Sequence, residues 1–318
     1  SLEPVASPSS AVAAVEGATI LPLTKRQRPE WPERQDSLER PERQDRPEWP
    51  ERQDRPEWPE RQGRPVAAPR EVTDRHDSHD APEEHMVSLV SPHSFEAEQF
   101  RSLRHLVEQC HSDTDLRILV VTSATQGDGK SLVAVNLAGA LAQNREARVL
   151  LVDCDLRVPS VHSLLGLRGP ARGVAELVHN PALDLDDVLV ARPAYNLTIL
   201  QAGTPPASPY EVLKSERLAN ALNQARVAFD YVVIDTPPVL AFPDTRLLGE
   251  WADAFLLVVG ANKTPRKLVE EATGMLPSEK LLGLVFNGET DRKPYASYGR
   301  ERSQSGFWRK LASLWGGN

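Results

Sequence analysis

The sequence predicts an α/β domain: a parallel sheet with helices on both faces, preceded by a disordered N-terminal arm. Three observations point to the sheet. Apolar segments of strand length alternate with helical stretches from about residue 86 to 287. A glycine-rich loop joins one such strand to a helix. Two of the strands end in acidic residues. Near-continuous apolar strands belong to sheets covered on both faces, and parallel sheets hold ligands at the carboxyl ends of their strands.

Residues 1–84 read as the arm. A nine-residue unit, RPEWPERQD, repeats with variation across 28–63. Its prolines and charged residues leave one Trp per unit to bury, too little to offset chain entropy. Trp31, Trp49 and Trp58 are candidate anchors for a partner. The opening stretch, SLEPVASPSSAVAAVEGATILPL, has no basic start and is broken by Pro and Glu, so no secretory leader is expected. No run of about 18 apolar residues occurs, so no membrane span is expected.

The folded part, 85–290, begins near Met86. SFEAEQFRSLRHLVEQ reads as a helix with Phe100, Leu103 and Val107 on one side. Strand candidates follow at 118–122, 149–152, 197–200, 231–234, 255–259 and 282–286. After the first comes ATQGDGKS, 124–131, which fits G-x-x-x-x-G-K-[ST] except that Ala124 replaces the first Gly. Glycines let backbone N–H groups turn around a phosphate, and the next helix adds its N-terminal dipole. Lys130 would reach the β- and γ-phosphates, and Ser131 would ligate Mg²⁺. VLLVDCDLR then supplies Asp153, Asp155 and Arg157, and YVVIDTPP supplies Asp235. Asp153 and Asp155 alternate along a strand end, so both face the phosphate loop while Cys154 faces away and reads as a core residue.

Composition limits function. The chain has 318 residues, net charge −8 and pI about 5.6, so bulk charge does not make it a nucleic-acid binder. Cys110 and Cys154 make no disulfide framework, and a reduced, cytoplasmic chain is expected. The tail 291–318 holds six Lys and Arg against Asp291 and Glu301, so it carries +4. Its end, GFWRKLASLWGGN, has Phe307, Trp308, Leu311, Leu314 and Trp315 on one helical face with Arg309 and Lys310 outside it. Residues 306–316 therefore suit an anionic membrane surface or a partner groove.

A phosphate loop, then LLVDCDLR, then VVIDTPP resembles the bacterial tyrosine kinases of capsule and exopolysaccharide synthesis. DLRVPSVHSLLGL, ILQAGTPPASPYEVL and EQFRSLR extend the resemblance over about 86–290. Switch ATPases of the MinD/ParA class share the P-loop NTPase fold and are the alternative, as non-kinase switches or assembly factors. They carry a signature lysine five residues before the loop lysine, where this chain has Thr125.

The resemblance implies an ATP- and Mg²⁺-dependent tyrosine autokinase that regulates polysaccharide polymerisation and export. Gly127, Asp128, Gly129, Lys130, Ser131 and Leu132 would hold the nucleotide, with Asn287 near the adenine. Ser131, Asp155 and Asp235 would organise Mg²⁺, and Asp153 would accept or orient the tyrosine hydroxyl. An Asp near its usual pKa of about 4 is a weak base toward a phenol near about 10, though a loose transition state needs little early deprotonation. Glu98, Arg101 and Arg104 match an E-x-x-R-x-x-R oligomerisation motif on an exposed helix face, which implies a homo-oligomer, a ring by analogy. Tyr295 and Tyr298 would be the phosphoacceptors, although relatives usually end in a larger tyrosine cluster. Implied partners are a membrane chain-length regulator that activates the kinase and a tyrosine phosphatase. The expected place is the cytoplasm, peripheral at the inner face of the plasma membrane.

Overall fold

A computed structural model describes residues 81–167 and 172–288 in full, together with the backbone of residues 13–15 and 18–22. The RPEWPERQD repeats, Tyr295, Tyr298 and residues 306–316 lie outside the described residues. All six expected strands are present: β3 (Ile118–Ser123), β4 (Val149–Asp153), β6 (Leu197–Leu200), β7 (Tyr231–Asp235), β8 (Ala254–Gly260) and β9 (Leu281–Asn287). They pair in parallel in the order β9-β8-β3-β7-β4-β6.

Period-two alternation splits the strands between two cores. Val120, Val152, Ile234 and Leu257 pack on one face of the sheet. Leu119, Val121, Leu151, Val233 and Leu256 pack on the other, with the helix that follows β3. That helix is apolar all round because the sheet lies on one side of it and two further helices on the other. These are α1 (Val87–Val90) and α2 (Phe95–Thr114); the helix after β3 is α3 (Lys130–Ala142). Phe100, Leu103 and Val107 form the buried stripe of α2, as their spacing predicts. Ser94 caps the helix by accepting from Ala97 N at 3.0 Å.

The segment before α2 is strapped to α3. Asn136 is fully buried; its Oδ1 accepts from Ser88 N at 2.9 Å and its Nδ2 donates to His85 O at 3.0 Å. Leu89 comes so close to Gly139 that a Cβ there would lie 2.7 Å from its Cδ2.

Three strands were not legible as such. β5 (Leu189–Arg192) runs antiparallel to β6 and closes one edge of the sheet. At the other edge, within the stretch read as the arm, β1 (Ala13–Val15) pairs with β2 (Ala18–Pro22), and β2 pairs antiparallel with β9. An open parallel edge offers unpaired N–H and C=O groups, and a strand supplied by the same chain satisfies them. Among the described residues no helix is long and apolar enough to cross a membrane.

Candidate active site

The loop between β3 and α3 makes its turn with two glycines in the left-handed region, Gly127 at φ 80° and Gly129 at φ 91°. Gly129 is required for a second reason. A Cβ there would stand 1.9 Å from Asn287 Nδ2, at the end of β9. That same nitrogen donates to Asp128 O at 3.0 Å. Asn287 is thus seated against the phosphate loop itself. Lys130 opens α3, Ser131 is buried, and Leu132 follows in the first turn, half-buried against the core.

The two acidic strand ends meet across this loop. β4 and β7 are neighbours in parallel register, with Asp153 opposite Asp235. Asp153, Asp155 and Asp235 are all buried. Asp153 is fixed by two backbone donors, Asp155 N to Oδ1 at 3.1 Å and Val161 N to Oδ2 at 3.2 Å. Asp155 accepts from Val158 N at 3.0 Å. Lys130 Nζ lies 2.7 Å from Asp155 Oδ2, 3.7 Å from Asp235 Oδ1 and 3.0 Å from Ser131 Oγ. Cys154, between the two acids, is buried in the core as expected of it.

Burial and charge crowding set the protonation chemistry. Burial, then the Asp235 carboxylate, pushes Asp153 well above the ordinary carboxylate range. Burial pushes Asp235 up to about 6, with the Lys130 ammonium holding it from rising further. Burial alone would lower the Lys130 ammonium; the carboxylates of Asp235 and Asp155 outweigh it and raise it. Both oxygens of Asp235 are buried without a hydrogen-bond donor. A carboxylate in that condition is costly unless another charge completes it.

Residues 116–248 match the ParA family, described as NUBPL iron-transfer P-loop NTPase. The chain is 33% identical over 227 residues to tyrosine-protein kinase YwqD of Bacillus subtilis strain 168, covering 71% of this chain and 94% of that one. It is a member of the bacterial tyrosine-kinase family. The kinase domain of Escherichia coli tyrosine kinase ETK superposes with a TM-score of 0.63 at 27% identity, over 70% of this chain and 86% of that one. The succinoglycan biosynthesis transport protein ExoP of Rhizobium meliloti strain 1021 is 32% identical, but this chain spans 27% of its length.

The site of this kinase-family chain fits a divalent cation. Among the described residues no three His, Cys, Asp or Glu side chains group as a metal cage. Mg²⁺ does not need one, since it usually keeps waters and phosphate oxygens and takes one or two carboxylates. Asp235, whose oxygens lack a hydrogen-bond donor, with Asp155 and the Ser131 hydroxyl beside the same ammonium, is a donor set of that kind.

The E-x-x-R-x-x-R segment holds its arginines differently from the expectation. Arg101 and Arg104 are half-buried, not on an exposed face. Arg101 bonds Glu98 and Pro92 O, and its Nε reaches Gln143 Oε1 at 3.3 Å. Arg104 donates to Ala140 O at 3.1 Å and to Glu108 at 2.7 Å. Arg104 therefore braces the C-terminal end of α3, which favours a cation, through a backbone carbonyl, and Arg101 does so through the Gln143 side chain. Arg157 makes a two-pronged pair with Asp244, Nε at 2.7 Å and Nη2 at 3.1 Å, and its guanidinium stacks 4.0 Å from the Phe242 ring centre. Asp244 is fully buried and had no motif to announce it.

Proposed function

We propose that this chain transfers the γ-phosphoryl group of ATP to tyrosine hydroxyls, its own or a neighbouring subunit's, and so regulates the polymerisation and export of a capsular or exopolysaccharide. The observation that carries the reading is the convergence of two buried carboxylates, Asp155 and Asp235, on the loop lysine, with a third, Asp153, opposite Asp235 in register. An inert nucleotide binder has no use for that arrangement.

In this reading the ammonium of Lys130 leaves Asp155 for the β- and γ-phosphates, and the amides of Gly127 to Ser131 face the same oxygens. Asp128 takes part through its backbone, because its side chain is engaged within the protein. Leu132 adds a first-turn amide, and Asn287 flanks the base. Ser131, Asp155 and Asp235 would hold Mg²⁺, which would supply positive charge against that developing on the phosphates. The tyrosine oxygen bonds to the γ-phosphorus as the bridging oxygen leaves with ADP, and the phenol proton passes to Asp153. With its pKa raised by burial, Asp153 is a stronger base than an ordinary aspartate.

Tyr295 and Tyr298 are the proposed acceptors. A homo-oligomeric ring would present them to a neighbour's site. A membrane chain-length regulator would activate the kinase, a tyrosine phosphatase would reverse it, and residues 306–316 would hold it at the inner face of the plasma membrane.

The decisive experiment incubates purified protein with ATP and Mg²⁺ and maps phosphotyrosine by mass spectrometry. Phosphotyrosine that disappears in Lys130→Met supports the kinase. ATP hydrolysis with no phosphotyrosine would return the chain to the switch-ATPase class.

A further inference from the structure

The side chain of Asp128 is buried, yet it points to neither the acids nor the lysine. It gathers three donors. Thr125 N reaches Oδ2 at 2.8 Å, and Thr125 Oγ1 reaches Oδ1 at 3.0 Å. Thr264 Oγ1 reaches Oδ1 at 2.6 Å, from the loop after β8. Thr264 is itself held, since its Oγ1 accepts from Gly260 N at 3.2 Å at the end of that strand. Its neighbour Lys263 donates to Gly127 O at 2.7 Å. The fit is close. A Cβ on Gly260 would come 3.1 Å from Asp128 Oδ1 and 3.2 Å from Thr264 Oγ1.

A phosphate loop needs its N–H groups held inward before the ligand arrives, because amides that must reorganise on binding give back part of their stabilisation. Glycines at 127 and 129 make that curl possible but do not hold it. From these contacts we infer that Thr264 is a positioning residue for the nucleotide: through Asp128 it braces the phosphate loop from within the same chain. Thr125 stands where switch ATPases carry their signature lysine. Here it is tied to Asp128, and through it to Thr264. The loop of this chain is therefore set by its own β8–helix connection.

Resting on the proposed ATP site, the brace has a test whose failure can be told from that of the site. A fluorescent ATP analogue with Mg²⁺ is titrated into full-length wild type, Thr264→Val and Thr264→Ser, each at two protein concentrations tenfold apart, with melting curves taken without nucleotide. Val keeps the shape and removes the hydroxyl. Ser keeps the hydroxyl. Losing a bond to a buried carboxylate and the acceptor of a buried N–H is expected to weaken binding about tenfold in Val, with Ser near wild type and affinity unchanged by protein concentration. For phosphotyrosine formation, KM for ATP rises in Val while kcat at saturation stays close to wild type. No binding by wild type would remove the ATP site itself. Wild-type binding with an equal Kd in Val, or a lower melting temperature in Val with unchanged Kd and KM, would overturn the brace. An affinity that climbs with protein concentration would place the brace in a neighbouring subunit instead.

Discussion

Lys130 Nζ lies 2.7 Å from Asp155 Oδ2, so the lysine expected to meet phosphate is paired with a carboxylate expected to meet the metal. Each stands in for the other's ligand. Lys130→Met should abolish phosphotyrosine formation, by at least about 10²-fold, the scale of one preorganised electrostatic contact. Phosphorylation near the wild-type rate would mean that this loop is not the catalytic site. The same change leaves three buried acids facing one another without the ammonium. Without it the Asp235 carboxyl should rise above about 6, which a pH titration of the nucleotide-free variant would detect as proton uptake at higher pH than in wild type.

Asp235 leads to a pH prediction. Its carboxyl is held at about 6 in the folded chain, above the ordinary value of an unfolded aspartate near about 4. The folded state therefore binds this proton more tightly, and stability falls as pH rises between about 4 and 6, with the loss complete above that window. Asp235→Asn cannot ionise, so its nucleotide-free melting temperature should exceed wild type by at least about 3 °C at pH 8. The gap should close toward pH 4. Mg²⁺ with ATP should raise the wild-type melting temperature more at pH 8 than at pH 5, and the variant's little at either. A gap that does not change with pH would show that Asp235 does not ionise in this window.

The strands and the phosphate loop were legible because each is a local pattern: an unbroken apolar run, or glycines at fixed spacing before Lys130. The acids were legible for the same reason, as Asp153 and Asp235 are the last residues of their strands. What local pattern could not give is the partner of a side chain. Arg101 and Arg104 read as an exposed helix face from three-residue spacing, but α3 ends beneath them, where Ala140 O takes Arg104 and the Gln143 side chain takes Arg101. Arg157 finds no partner in its own motif; Asp244, 87 residues away, supplies one. β2 on the β9 edge lies more than 250 residues from its partner strand, beyond any periodic signal.

The Arg157 pair should be structural in measurement. Arg157→Met leaves Asp244 buried and unpaired, which costs up to about 3 kcal/mol, below the fully buried case because Arg157 is partly exposed. Nucleotide-free melting temperature should fall accordingly. Arg157→Met combined with Asp244→Asn should recover part of the loss, since no bare charge remains. An unchanged melting temperature in the single variant, with weakened ATP binding, would point to a phosphate contact.

Arg104→Ala tests whether the E-x-x-R-x-x-R segment serves this chain or its neighbour. The side chain donates to Ala140 O at the last turn of α3, a charge-assisted bond worth about 1–3 kcal/mol. Its loss should lower the melting temperature by several degrees, roughly 2–4 °C for each kcal/mol in a domain of this size. Light scattering under assembling conditions separates the two roles. A lower melting temperature with the wild-type mass distribution makes the arginine an internal brace and leaves the proposed ring to other contacts. A lost oligomer at unchanged melting temperature assigns it to the neighbour, against the contacts it makes here.

Tyr295→Phe with Tyr298→Phe tests the acceptors and what their modification does. The double variant should lose most phosphotyrosine while binding ATP as wild type does, because neither residue belongs to the loop or the acidic strand ends. Each phosphate adds about −1.5 to −2 of charge. Two would bring the tail from +4 to about +1 or 0, only some ten residues before the aromatic, basic end at 306–316. Attraction to an anionic surface amounts to about 1 kcal/mol per basic residue, so most of it would be offset. Phosphorylated wild type should therefore sediment poorly with anionic liposomes, and the Phe/Phe protein incubated with ATP should sediment well. Neutral liposomes should hold neither. Equal sedimentation of the two forms, or none by either, would sink the electrostatic switch while leaving the acceptor assignment to the phosphotyrosine map.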